Sequence, residues 1–133
     1  MCKVNSSLHF SKSAQSAKAT ETSWVPNTDV YACETGIVIK VELSGMRRED
    51  LELTIEGNRL RISGQRPDGC RSPKCRFLVM EINYGNFESV IELPAGYDLS
   101  EAKAAYQNGF LRIDVPVAQR TSSKNLSVSI TDA

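Results

Sequence analysis

Alternation with a period of two residues constrains this chain more than any other feature. Ile37, Ile39, Val41 and Leu43 alternate with Val38, Lys40 and Glu42, and Leu51, Leu53 and Ile55 alternate with Glu52, Thr54 and Glu56. Leu60 and Ile62 are flanked by Arg59, Arg61 and Ser63; Leu111, Ile113 and Val115 are spaced by Arg112 and Asp114. Successive side chains of a strand point to opposite faces, so each segment reads as a strand with one buried and one wet face. None of these segments carries the 3.6-residue period of an amphipathic helix, and an all-β fold follows.

Turn chemistry divides the strands. Asn108-Gly109 is a strong hairpin signal, because both residues tolerate positive φ, and Pro116 ends the strand beyond it by removing a backbone donor. Order is expected to begin at Trp24-Val25-Pro26, with a short strand at Asp29-Val30-Tyr31 and a turn at Glu34-Thr35-Gly36. Residues 44–50 form a polar connection broken by Gly45, and Gly57-Asn58 turns the chain into Leu60. Residues 77–84 are more continuously apolar and read as a strand buried on both faces. Gly85-Asn86 turns that segment into a strand over 87–93, which Pro94 stops, and Ser100 caps one short helical turn with Glu101, Ala102 and Lys103. About eight short strands at regular spacing indicate an immunoglobulin-like β-sandwich. Residues 64–76 break the pattern with two prolines and four positive charges. That loop reads either as one that reaches a partner or as a solvated basic loop.

At 133 residues the chain is long enough for one core. The division expected is a disordered arm over 1–23, a sandwich domain over 24–118 and a flexible tail over 119–133. The arm is rich in Ser, Ala, Lys and Thr, and only Leu8 and Phe10 offer neighbouring bulky apolar groups, as a small sticky patch or as part of a solvated tail. In the C-terminal tail, Leu126, Val128 and Ile130 alternate with polar residues. They read as a last strand of the same domain, or as an extended peptide that adds to a sheet edge of another subunit; the spacer before them favours reach.

Sixteen basic and sixteen acidic residues cancel, which leaves no global field to draw nucleic acid or an anionic membrane. No apolar run approaches the roughly 20 residues needed to cross a bilayer. The N-terminal residues lack the apolar stretch of a secretory signal, so the expected compartment is the cytoplasm. The four cysteines are expected to be reduced there. Cys70 and Cys75 are the close pair, with too few ligands for a metal site, and no metal or cofactor is expected. His9 is the single histidine and lies in the arm, and the chain carries no phosphate loop, zinc signature or Gly-x-Ser-x-Gly elbow, so catalysis is not expected.

Several stretches together resemble the small heat-shock (α-crystallin) proteins, bacterial-type members in particular. Ala104-x-x-x-Asn108-Gly109-x-Leu111 is similar to the family signature, and Trp24-x-Pro26-x-x-Asp29-Val30-Tyr31 resembles the opening of its domain. Residues 44–51, the Asn58-Arg59-Leu60-Arg61-Ile62-Ser63-Gly64 run, Tyr84-Gly85-Asn86-Phe87 and Leu93-Pro94 resemble later landmarks, and Val128-Ser129-Ile130 resembles the branched-x-branched motif of the family's tails. The resemblance implies an ATP-independent holdase chaperone that binds partly unfolded clients and assembles from dimers into a larger homo-oligomer. It implies tail anchors at Leu126, Val128 and Ile130, and a receiving groove between strands 51–55 and 87–93, walled by Leu51, Leu53, Ile55, Val90 and Ile91. It gives the loop with Arg66, Cys70, Arg71 and Cys75 a role in the dimer, although this loop is short for the family. Leu8 and Phe10 would contact clients. Ser89 stands where family members often carry Arg, so an ion pair drawn from that Arg does not carry over. The alternative is a CS-type co-chaperone or adaptor, a monomeric docking module on the same sandwich.

Overall fold

The computed structural model describes residues 23–68, 74–119 and 125–132. Among these residues the chain forms nine strands: β1 (Thr28–Cys33), β2 (Gly36–Glu42), β3 (Leu51–Glu56), β4 (Arg59–Arg66), β5 (Gly85–Glu92), β6 (Lys103–Gln107), β7 (Phe110–Pro116), β8 (Asn125–Ser127) and β9 (Ile130–Asp132). They form two facing sheets, one in the order β1-β2-β7-β6-β9 and the other in the order β5-β4-β3-β8. Every pairing is antiparallel except that of β9 with β6.

The inward sets are those the alternation marks. Ile39, Val41, Leu111, Ile113 and Val115 from one sheet meet Leu53, Ile55, Leu60 and Ile62 from the other. Burying each such side chain contributes about 1.5–3 kcal/mol, which is why the register is fixed: a slip by one residue would turn each set out to water. Asn108 (φ 54°) and Gly109 (φ 84°) both adopt the left-handed conformation that a two-residue hairpin requires. Where β4 passes the end of β3 only a glycine fits. A Cβ on Gly64 would lie 2.2 Å from the Asp50 carbonyl oxygen and 2.9 Å from the Phe87 ring.

Two expectations are corrected. Residues 77–84 are not a strand: the chain there is irregular, and Phe77, Leu78, Val79 and Ile82 are exposed. A strand buried on both faces needs neighbours on both faces, and no described element supplies them. The helical turn is a 3-10 turn over Leu99–Glu101, capped by Asp98, whose carboxylate accepts from the Ser100 N–H (3.0 Å) and hydroxyl (2.6 Å). No helix among the described residues is long and apolar enough to cross a membrane.

Candidate functional site

The two sheets leave one pair of edges side by side, β3 and β6, and the C-terminal tail closes the gap between them. On β6 the inward position Ala104 is small, as is Ala102 just before the strand. Small side chains keep this margin of the core low and leave a groove that a passing peptide can fill. The tail enters along β3, with Glu56, Ile55 and Thr54 opposite Asn125, Leu126 and Ser127, then crosses to β6, with Ala104, Ala105 and Tyr106 opposite Ile130, Thr131 and Asp132. Between the two pairings the Val128 N–H donates to the Leu53 carbonyl at 3.4 Å. Ile130 is 9% exposed and joins the core, and half-buried Val128 packs against it. The Thr131 hydroxyl donates to the Ala104 carbonyl (3.5 Å), and Asp132 lies 3.4 Å from Nε of Arg48. An open cleft of about 510 Å³ runs beside the crossing, lined by Ile55, Ala104 and Val128 and by polar groups including Lys103, Asp114 and Ser129.

In this single chain the tail thus closes on its own domain. Val128 and Ile130 fill the groove as the alternation suggests, and the backbone of Leu126 lies in β8. Leu51, Leu53 and Ile55 are buried on the β3 side. The second wall is corrected: it is β6, not the strand over 87–93. Val90 and Ile91 lie on β5, which β4 separates from β3, and Val90 faces out at 45% exposure. The strands at 51–55 and 87–93 belong to one sheet, so no inter-sheet groove can lie between them. The decisive residues that pattern reading missed are Ala102 and Ala104, whose signal is smallness rather than apolarity.

At the opposite margin, strand β1 is the outer strand of its sheet among the described residues, with Val30 and Tyr31 each 47% exposed. Residues 77–82 add a second apolar surface, with Leu78 84% and Val79 73% exposed. Of the expected dimer-loop residues, Cys75 is exposed with a free thiol. The guanidinium of Arg66 stacks on Trp24 of the same chain, 4.4 Å from the ring centroid. Cys70, Arg71, Leu8 and Phe10 lie outside the described residues. Ser89 is half-buried opposite Ile62, and the neighbouring Glu88 pairs with Arg61 at 2.6 Å. No group of three or more potential metal ligands occurs among the described residues.

The architecture defines the class: a two-sheet sandwich whose C-terminal peptide closes a groove between the sheet edges. The chain belongs to the Hsp20/alpha crystallin family, whose pattern matches residues 29–131. It is similar to Small heat shock protein C2 of Rickettsia felis, 28% identical over 112 residues, which cover 84% of this chain and 73% of that protein. It is also similar to Spore protein SP21 of Stigmatella aurantiaca, 29% identical over 107 residues, which cover 80% of this chain and 63% of that protein. Among solved structures, a small heat-shock protein from Xylella fastidiosa, described as having a distinct high order structure, matches with a TM-score of 0.66 and 27% identity. The match covers 77% of this chain and 94% of that one.

Proposed function

We propose that the chain is an ATP-independent holdase chaperone that binds partly unfolded proteins and prevents their aggregation. The observation that carries the reading is the apolar row Phe77, Leu78, Val79 and Ile82, exposed on backbone that belongs to neither sheet. Unfolding proteins expose apolar surface, and burying it is worth about 25 cal/mol per Å². A binder that offers apolar side chains competes with client self-association and performs no chemistry. The groove is a second such surface under control. Two three-residue strands, buried Ile130 and half-buried Val128 hold the tail, far less than holds the central strands, so it sits at the low-stability end of the molecule. Its departure uncovers Ile55 and Ala104.

In the assembly proposed here, the tail of one copy takes the groove of another by strand addition, and the outer edge of β1 pairs with that of a second copy. The high order structure of the Xylella fastidiosa relative and the family membership support self-association. The comparisons lend the CS-type adaptor reading no support. The test is light scattering from a thermolabile protein heated with the chain and without nucleotide. Suppression near equimolar ratio is expected, with most of it lost in Leu78→Ser/Ile82→Ser. Full aggregation in the presence of the intact chain would overturn the reading.

A further inference from the structure

Arg66, the last residue of β4, engages two aromatic rings and two backbone carbonyls at once. Its guanidinium lies 4.4 Å from the Trp24 ring centroid and 5.9 Å from that of Tyr84. Its Nε donates to the Asn83 carbonyl (2.9 Å) and one terminal nitrogen donates to the Ser44 carbonyl (3.2 Å). A planar fork can stack on aromatic faces and donate in plane at once, which an ammonium cannot do. Burial lowers the guanidinium's pKa, and the nearby Tyr84, Glu42 and Tyr106 oppose the shift, as expected for a cation drawn into the end of the sandwich.

The residues gathered here come from separate places. Trp24 is where the first described residues join the domain: its N–H donates to Asn86 (3.1 Å), its carbonyl accepts from Glu88 (3.2 Å), and its indole N–H donates to Gly85 (3.2 Å). Asn83 and Tyr84 end the exposed apolar segment, immediately before the residues that Trp24 grips. Ser44 lies in the connection after β2. One side chain thus joins the root of the N-terminal residues to the root of the apolar segment.

We infer that Arg66 is a coupling clamp: seating of Trp24 on the β5 edge and placement of residues 77–84 are held together through its guanidinium, so that loosening either loosens the other. Coupling of this kind is reciprocal and is typically worth a factor of five or more in each equilibrium. Trp24 and the 77–84 segment are therefore loosened together rather than singly. The inference goes beyond the holdase reading, and its readouts need neither client nor assembly.

Trp24 is the sole tryptophan, so its emission reports the clamp in the full chain. Arg66→Lys keeps the charge but loses the fork. It is expected to shift Trp24 emission to the red, with amide exchange in β2 and β7 unchanged. Tyr84→Leu, made at the other end of the clamp, is expected to shift the same emission. Tyr84→Leu added to Arg66→Lys is expected to shift it no further, because the route between them is already cut. The clamp is refuted if Arg66→Lys leaves the emission in place, or if the two shifts simply add. Should Arg66→Lys fail to fold, Tyr84→Leu alone decides: an unmoved Trp24 emission refutes the coupling.

Discussion

Two apolar runs of this chain, residues 77–82 and 128–130, meet opposite fates. Ile130 is 9% exposed in the groove between β3 and β6, whereas Leu78 stands 84% exposed. Both runs are short and both adjoin polar, charged stretches. Composition does not separate them; what each finds beside it does. The tail alternates branched and polar residues and meets two open sheet edges floored by alanines, so it can donate backbone bonds to both and bury one face. Residues 77–82 carry apolar groups at successive positions and meet no described edge, so no single face of theirs can be covered. An apolar run is buried where an edge awaits it, and a run without one becomes a surface for another molecule.

The comparison breaks most severely when the floor shared by both margins is removed. Ile113 is fully buried beneath the β6–β7 hairpin, and Ile113→Ala is expected to cost about 3–4 kcal/mol in urea unfolding. A much smaller loss would mean the core can collapse around the gap. Emptying the groove comes next. Val128→Ala with Ile130→Ala is expected to cost on the order of 1–2 kcal/mol, because a loosened tail can leave instead of framing a cavity. Amide exchange in β3 and β6 should then rise while that in β2 stays slow; uniform acceleration would contradict a separable tail.

Residues 77–82 should behave in the reverse manner. Leu78→Ser with Ile82→Ser is expected to change unfolding free energy by no more than about 0.5 kcal/mol, as at other exposed positions, yet to remove most of the aggregation suppression. Unchanged suppression would move client binding elsewhere. The smallest effect sits at the end of the tail. Arg48 and Asp132 are exposed, 45% and 70%, so Arg48→Glu should weaken tail retention by about 0.2–1 kcal/mol, a difference that molar salt erases. A loss that persists at high salt would show that Arg48 acts through packing.

Much of this was legible in the residues themselves. The period-two sets named the inward faces of β2, β3, β4 and β7, and Asn108-Gly109 fixed the hairpin, because those features depend on neighbours in sequence. The departures arise where the cause lies across the fold. Apolarity at 77–84 was read as burial, but burial needs a surface to meet. The groove was assigned to β3 and the strand over 87–93 through the family resemblance, and alternation, which reveals a strand's faces and not its sheet, could not test that assignment. The true wall at β6 was hidden, since Ala102 and Ala104 act by being small. Arg66 was counted with a basic loop, and only the fold brings Trp24, Tyr84 and two carbonyls around it.

The central claim is that the tail and its groove govern assembly, and solution mass by light scattering tests it most directly. The intact chain is expected to form a particle larger than a dimer, and Val128→Ala/Ile130→Ala is expected to fall to dimers joined through β1. Equal masses for the two proteins would contradict the account, and a monomeric intact chain would remove the assembly altogether.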